Sequence, residues 1–280
     1  METIIHATDF SKNASIALKY AHALYKKLNA SLWVIHIYDA TSMSSDLSET
    51  YFLPKKELRK KKNDTIKEHC INILGDDFEK DNIKIASIEN SSVLKGIIKK
   101  AKDLNASLIV TGMQGKSAFK DFFMGNTTKQ LIEKAPCAVL AIPANSRLRE
   151  LKTIVYASDF EEEDISAISN LANIAKFFNA KIKIVHISSE KEKNGETEME
   201  WFKEMVLQNV SYKNLEFAIF TSNDIFNFLK IYLEEVEADM VAMLEREKKG
   251  FTKKLFHEDL VKKMEHQSTI PLLSFNEINY

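Results

Sequence analysis

The chain is poor in the residues that interrupt or cross-link a polypeptide, with 7 glycines, 4 prolines and 2 cysteines among 280 residues. The two cysteines, Cys70 and Cys137, lie far apart in the sequence and show no metal-ligand spacing. We therefore expect the protein to work in a reducing cytoplasm.

The chain also lacks the marks of nucleic-acid-binding and membrane proteins, and we expect neither partner. Its formal net charge of −1 gives no overall attraction to a polyanion. No run approaches the roughly 20 apolar residues that span a bilayer, and the N-terminus does not have the build of a signal peptide. One basic run has no aromatic neighbours to stack on bases, so we expect it to be the solvated face of a helix. It consists of Lys55, Lys56, Arg59, Lys60, Lys61 and Lys62.

The chain does contain a long internal repeat. Residues 4–37 align without a gap on residues 154–187, and the shared positions pair Asp9 with Asp159 and His36 with His186. Such a match is hard to produce by chance and indicates a duplicated domain. We expect domains at 1–145 and 150–280, with the boundary in the polar stretch 144–150.

Apolar strand-length runs alternate with amphipathic helical segments in each half. This alternation predicts an α/β fold of two tandem doubly wound domains, each a five-stranded parallel sheet with helices on both faces, Rossmann-like and adenine nucleotide alpha hydrolase-like. The first half has expected strands at 4–5, 32–38, 83–88, 108–110 and 138–142, and expected helices at 14–28, 55–74, 93–104 and 128–134.

Three of the few glycines, Gly112, Gly115 and Gly125, follow the expected strand 108–110. Glycine permits positive φ and lets a ligand approach the main chain, so the cluster indicates a phosphate site. It is not a P-loop, because that motif needs a glycine where Val110 stands. Asp9, after the first strand, either accepts hydrogen bonds from a ribose or an adenine amine or caps the following helix.

Taken together, these features resemble the universal stress protein family in its tandem two-domain form. The resemblance is carried by ATDF at 7–10, by VIHI at 34–37, by the G-x2-G-x9-G spacing that begins at Gly112, and by APCAVLAIP at 135–143. In the nucleotide-binding branch of this family, that glycine motif accompanies bound ATP. The resemblance therefore implies ATP in the first half, with Mg²⁺ as an ion that Asp9 would hold.

The resemblance also implies which residues surround the nucleotide. One departure from the family pattern is Asn126, which stands where Ser or Thr is usual, although an amide still donates to phosphate. Lys116 would neutralise phosphate charge. By position, Thr8 and Asp9 would lie near base and ribose, Ile37 against the adenine, and Gly112, Met113, Gly115, Gly125, Asn126, Thr127 and Thr128 around ribose and phosphates.

The second half lacks this loop. Leu244, Glu247 and His257 stand where the first half has its three glycines, and Glu258 occupies the Ser/Thr position. We therefore expect no ATP there. We expect His36 and His186 to make structural hydrogen bonds, and we find no acidic or cysteine partner at ligand spacing for His22 or His69. No metal site emerges.

Three functions stay open at this point. The first is an ATP-binding stress-response protein whose occupancy changes its affinity for a partner or a second copy. The second is a nucleotide-free adaptor or structural protein, and the third is a slow ATPase, since no general base is evident near the glycines. We also expect strands 138–142 and 270–275 to pair the two domains within the chain, with a homodimer as a further step.

Overall fold

The structure is a computed structural model that describes residues 2–40, 54–113, 125–188, 195–246 and 269–277. The chain divides into two compact units, Met1–Ala144 and Asn145–Tyr280. Within the described residues no helix is both long and apolar enough to span a membrane.

The described part of the first unit is an α/β layer structure on a parallel sheet. Its strands are β1 (Thr3–Ala7), β2 (Ser31–Tyr38), β3 (Lys84–Glu89), β4 (Leu108–Gly112) and β5 (Ala138–Ile142). Its helices are α1 (Lys12–Leu28), α2 (Lys55–Leu74), α3 (Asp77–Lys80), α4 (Val93–Asp103) and α5 (Asn126–Lys134). The strand order is β3-β2-β1-β4-β5, with every pair parallel.

The described part of the second unit repeats this plan. Its strands are β6 (Thr153–Ala157), β7 (Lys181–Ser188), β8 (Leu215–Thr221), β9 (Met240–Glu245) and β10 (Leu272–Asn276). Its helices are α6 (Glu162–Ala175), α7 (Gly195–Asn209) and α8 (Ile225–Glu235). The order is β8-β7-β6-β9-β10, again parallel throughout.

The predicted α/β class with parallel sheets is confirmed. Every residue of β4 and of β5 is buried, as expected for strands covered on both faces. Strand β1 is the central strand, between β2 and β4, so the chain reverses its direction of travel across the sheet at β1. In such sheets ligands bind beyond the carboxyl ends of the strands at this point.

The repeat is visible in the turn that leaves the first strand of each unit. Phe10 and Phe160 both have positive φ, 62° and 58°, a strained conformation for a bulky residue. The N–H of Phe10 donates to Thr8 Oγ1 at 3.0 Å, and that of Phe160 donates to Ser158 Oγ at 2.9 Å. The two turns are therefore held in the same way.

A histidine of the second strand fixes each turn from the neighbouring strand. His36 Nδ1 bonds to the carbonyl oxygen of Thr8 at 2.8 Å, and His186 Nδ1 bonds to that of Ser158 at 2.8 Å. The His36 ring also lies 4.5 Å from the ring of Phe10. The expected structural hydrogen bonds of His36 and His186 are thus present in both units.

His22 has acidic partners, so the expectation that it lacks them is wrong. His22 Nε2 lies 2.6 Å from Asp81 Oδ2, and Asp77 completes a group whose potential ligand atoms all lie within 4.8 Å of one another. The Lys26 ammonium already pairs with Asp77 at 3.1 Å and with Asp81 at 3.3 Å. The sequence hides this cluster because the carboxylates lie on or beside α3, a four-residue helix too short to show periodicity.

The basic run lies on α2, and most of its side chains are exposed. Lys55 pairs with Glu89 at 3.3 Å, and the Lys62 ammonium lies 5.9 Å from the ring centre of Tyr38. The run is therefore a solvated helix face, as expected from the sequence.

Acid should weaken the first unit through His6, which is fully buried on β1. Burial lowers the pKa of His6 from 6.5 to about 4. The depressed pKa means that the folded state favours the neutral ring. The contribution of neutral His6 to the free energy of unfolding is therefore complete above pH 6.5 and is lost as the pH falls toward 4. Between pH 7 and pH 5 we expect a loss of about 2 kcal/mol in the free energy of unfolding.

The measurement is urea unfolding at several pH values, followed by Trp33 fluorescence in a Trp201→Phe background, because the two tryptophans lie in different units. His6→Phe should flatten the pH dependence. Parallel curves for His6→Phe and the parent would contradict the assignment to His6.

Candidate functional site

A cleft of about 360 Å³ opens in the first unit at the carboxyl ends of β1, β2 and β4. Its volume lies in the range of small-molecule sites, roughly 300 to 1,000 Å³. It is the site that the strand order predicts. The residues that line it are Ala7, Thr8, Asp9, Ala14, Ile35, His36, Ile37, Val93, Ile97, Thr111, Gly112, Gly125, Asn126, Thr127 and Thr128.

Most of the residues named from the sequence meet in this cleft, namely Thr8, Asp9, Ile37, Gly112, Gly125, Asn126, Thr127 and Thr128. Met113 is buried and is absent from the lining; its N–H donates to the carbonyl oxygen of Ile142 at 2.9 Å. Gly115 and Lys116 lie outside the described residues.

One part of the cleft lining is apolar. Ile35 and Ile37 come from β2, while Val93 and Ile97 come from the first turns of α4. Val93 is 47% exposed. Of these four, the sequence analysis identified Ile37 only. The signal for the α4 pair was available, since a helix that follows a parallel strand presents its first turn to the same end of the sheet.

Another part of the lining is the N-terminus of α5, which favours an anion. The helix begins at Asn126, two residues earlier than expected from the sequence. Its N-cap, Gly125, makes no side-chain cap hydrogen bond, and the first turn contains no acidic residue. The amide groups of Asn126 and Thr127 and the helix dipole therefore face the cleft with no carboxylate on the same turn.

Two polar side chains on this turn have partners within the protein. Thr128 Oγ1 donates to the carbonyl oxygen of Gly112 at 3.0 Å, which ties α5 to the end of β4. Asn126 Oδ1 accepts from Gln130 Nε2 at 2.8 Å, which orients the Asn126 amide. Thr128 therefore acts first as a structural anchor.

The glycine cluster was predicted to be a phosphate site because glycine permits positive φ and lets a ligand approach the main chain. Among the described glycines positive φ occurs only at Gly75, Gly125 has φ −57°, and Gly115 lies outside the described residues. A Cβ at Gly112 would lie 3.0 Å from the backbone carbon of Asn13 in α1. Gly112 thus allows the start of α1 to approach the end of β4.

Asp9 is not the N-cap of α1, so the capping alternative is wrong in that form. Ser11 holds the cap position, and its side chain accepts from the N–H of Ala14 at 3.1 Å. Asp9 Oδ1 accepts from the N–H of Ser11 at 3.0 Å, which fixes the carboxylate at the cleft wall. Among the described lining residues, Asp9 is the one carboxylate.

The corresponding place in the second unit begins with a side chain. Leu108 pairs with Ile4 and Met240 pairs with Ile154, so Leu244 takes the position of Gly112. Leu244 is fully buried. Glu247, His257 and Glu258, the other departures from the glycine motif, lie outside the described residues.

Comparison with known proteins agrees with this geometry. The model of the universal stress protein family matches residues 1–143, which is more than half of the chain. The chain belongs to the universal stress protein family. The match covers the whole of the cleft described above. It ends where the first unit ends, and the strand order of the second unit repeats that of the matched part.

Individual members are similar in sequence or in fold. A Staphylococcus aureus protein named "Putative universal stress protein" is 28% identical over 165 residues, which are 58% of this chain and 96% of the relative. The crystal structure of a universal stress protein from Archaeoglobus fulgidus matches with TM-score 0.68 at 18% identity, over 98% of both chains. A Pseudomonas aeruginosa structure titled "Putative Universal Stress Protein" matches with TM-score 0.62 at 14% identity, over 99% of this chain and 93% of its own. At these identities the structural matches show the fold alone.

Gly112→Ala tests the close approach of α1 to β4. The added methyl group meets the backbone of Asn13, which cannot turn aside as a side chain can. We expect the first unit to lose about 1–3 kcal/mol of stability, measured by urea unfolding with Trp33 fluorescence. Gly195→Ala, in the second unit, is the control and should leave the Trp33 transition unchanged. An unaltered midpoint for Gly112→Ala would show that α1 has room at this point.

Proposed function

We propose that this universal stress protein binds ATP in the cleft of its first unit and acts as a nucleotide-responsive module in a stress response. The observation that carries the proposal is the pairing of two surfaces in one cleft. An apolar wall suits a purine base, and a helix N-terminus without acidic residues suits phosphates.

Each part of ATP has a counterpart in the lining. The adenine fits against Ile37, with Ile35 and Ile97 beside it. Asp9 is fixed by its turn and accepts hydrogen bonds from a ribose hydroxyl or the adenine amine. The phosphates fit at the first turn of α5, where Asn126 and Thr127 offer main-chain and side-chain donors.

The lining of the cleft supports ATP hydrolysis less than it supports ATP binding. Phosphoryl transfer to water needs acids that hold a metal and a group that orients the water. Among the described lining residues Asp9 alone is acidic, and it would hold Mg²⁺ if the ion accompanies ATP. We therefore propose binding without efficient turnover. Release of phosphate that depends on Mg²⁺ and is lost in Asp9→Asn would identify a slow ATPase instead.

The second unit is proposed to be a second domain of the same family that does not take ATP. Its strand order and its first turn repeat those of the first unit. Pairing of the two domains through their last strands, and a homodimer, stay predictions. Cytoplasmic location also stays a prediction; Cys70 and Cys137 are both free and buried, and burial raises the pKa of each thiol to about 12.

A nucleotide-free adaptor is the competing function. Asn126 favours it, because an exposed amide side chain stands where the family usually has the hydroxyl group of Ser or Thr. Mass spectrometry of the native protein separates the two. One ATP per chain after purification would exclude the adaptor.

Calorimetric titration with ATP tests the proposal directly. We expect one saturable site per chain, below millimolar concentration. Asp9→Asn should weaken binding roughly 10- to 150-fold, because a hydrogen bond to a charged group is worth roughly 1.5–3 kcal/mol. Gly115→Glu introduces the residue that the second half carries at this position and should abolish binding. Asp103→Asn, an exposed position at the end of α4, is the matched control.

No saturable binding below millimolar ATP would refute the proposal. It would also be refuted if Asp9→Asn and Gly115→Glu bound like the parent protein, since the nucleotide would then lie elsewhere.

Gly96→Ala tests the proposed position of the adenine and leaves the residues around the proposed phosphate position unchanged. A Cβ at Gly96 would lie 2.9 Å from Ile37 Cγ2, so the methyl group pushes Ile37 toward the cleft. The same change favours helix α4 by up to about 1 kcal/mol. We expect weaker ATP binding with little loss of stability. Unchanged affinity would place the adenine away from Ile37.

A further inference from the structure

In the second unit, an arginine stands in the segment that corresponds to the glycine cluster of the first unit. By the register of β9, Arg246 takes the position that Gln114 has in the first half. Its side chain is only 12% exposed and turns back to the loop that follows β6. Its ion-pair partners lie in the segment after β6, which repeats the segment after β1 at the cleft of the first unit.

The guanidinium group meets three carboxylates. Arg246 Nη1 lies 2.5 Å from Asp159 Oδ2, Nη2 lies 3.0 Å from Asp164 Oδ2, and Nε lies 3.5 Å from Glu161 Oε2. The three nitrogens of the planar group thus each face a different acid. Only the contact from Nη1 to Asp159 has hydrogen-bond geometry, and the contacts of Nε and Nη2 are ion-pair contacts without it.

The innermost acid is held rigidly. Asp164 is 2% exposed in its side chain and accepts from the Tyr156 hydroxyl at 2.7 Å and the Ser158 hydroxyl at 2.8 Å. Burial raises the pKa of Asp164, while the positive charge of Arg246 acts against that rise. Within the described residues, Arg246 is the one cation in contact with this carboxylate, and its loss would leave Asp164 buried beside Asp159.

The repeat shows what changed between the two units. Asp159 corresponds to Asp9, but Glu161 replaces Ser11 and Asp164 replaces Ala14. Ala14 lines the cleft of the first unit. Two carboxylates have therefore been added at positions that are neutral in the first unit, and they would repel the phosphates of a nucleotide.

We propose that the second unit has a guanidinium-binding site in place of the nucleotide site and that the chain fills it with its own Arg246. The site is filled from within, because the Arg246 side chain is in contact with all three acids. The proposal concerns the second unit alone, and it holds or fails independently of ATP binding in the first.

Chemical rescue distinguishes a site that binds a free guanidinium ion from an ordinary ion pair between two side chains. Arg246→Ala removes an ethylguanidinium fragment, and the probe is that molecule. Thermal unfolding of the full chain is followed by Trp201 fluorescence in a Trp33→Phe background. We expect Arg246→Ala to lower the midpoint by on the order of 10 °C. Millimolar ethylguanidinium should raise the Arg246→Ala midpoint saturably, and the parent midpoint should not rise.

Matched controls identify the site and the shape of the ligand. Ethylammonium and sodium chloride at the same ionic strength should rescue Arg246→Ala less, because neither has the planar fork. Asp159→Asn combined with Arg246→Ala should lose the rescue. Trp33 fluorescence in a Trp201→Phe background should report an unchanged first unit in Arg246→Ala.

The proposal fails if Arg246→Ala melts like the parent, or if ethylguanidinium rescues no better than ethylammonium. If Arg246→Ala does not fold, refolding in ethylguanidinium replaces melting as the readout, and absence of recovery overturns the proposal. Arg246→Lys keeps the charge without the fork. It should fold with an intermediate midpoint, and a midpoint equal to the parent would also count against a guanidinium site.

Discussion

The hydrogen bond from His36 to the carbonyl oxygen of Thr8 is the constraint on which the cleft depends. It ties the end of β1 to β2 across the sheet, and it fixes a turn in which Phe10 has a strained positive φ. That strain is tolerated because the surrounding bonds over-determine the turn. The turn places Asp9 at the carboxyl end of the central strand. The second unit keeps the same bond through His186, so the frame is independent of what the site binds.

Both units share this turn, and the charged groups around it determine which ligand or side chain each unit can accommodate. In the first unit, Asp9 is the one acid in the described lining, and the first turn of α5 supplies uncapped amide groups. In the second, Asp159 is joined by Glu161 and Asp164, and the positive charge comes from Arg246. The positive element is thus a helix end in one unit and a side chain in the other. A helix end leaves space for an anion beyond it, whereas the guanidinium group of Arg246 is itself in contact with Asp159, the counterpart of Asp9.

Much of this was predictable from the sequence, and the misses share a cause. The sheet and the meeting of Asp9 with Gly112 followed from strand periodicity and the repeat, which are local or in-register signals. The position of α4 after a parallel strand indicated that its first turn lies at the cleft, but Val93 and Ile97 were missed because the residues that face the cleft depend on how α4 rotates over β2. The partners of His22 were missed for a similar reason, since α3 is brought to α1 by folding across more than 50 residues. The need for glycine at position 112 was predicted, but its physical reason came from the packing of α1.

The two units differ in how their stability relates to a ligand. A ligand that binds only the folded state stabilises it by an amount that rises with its concentration. An anion at the start of α5 adds a partner for amide groups there, so the first unit under the proposed function is most stable when ATP is abundant. Arg246 is covalently part of the second unit and contacts the carboxylates there at any ATP concentration. Under the proposed function, the stability of the first unit therefore follows the nucleotide level and that of the second unit does not.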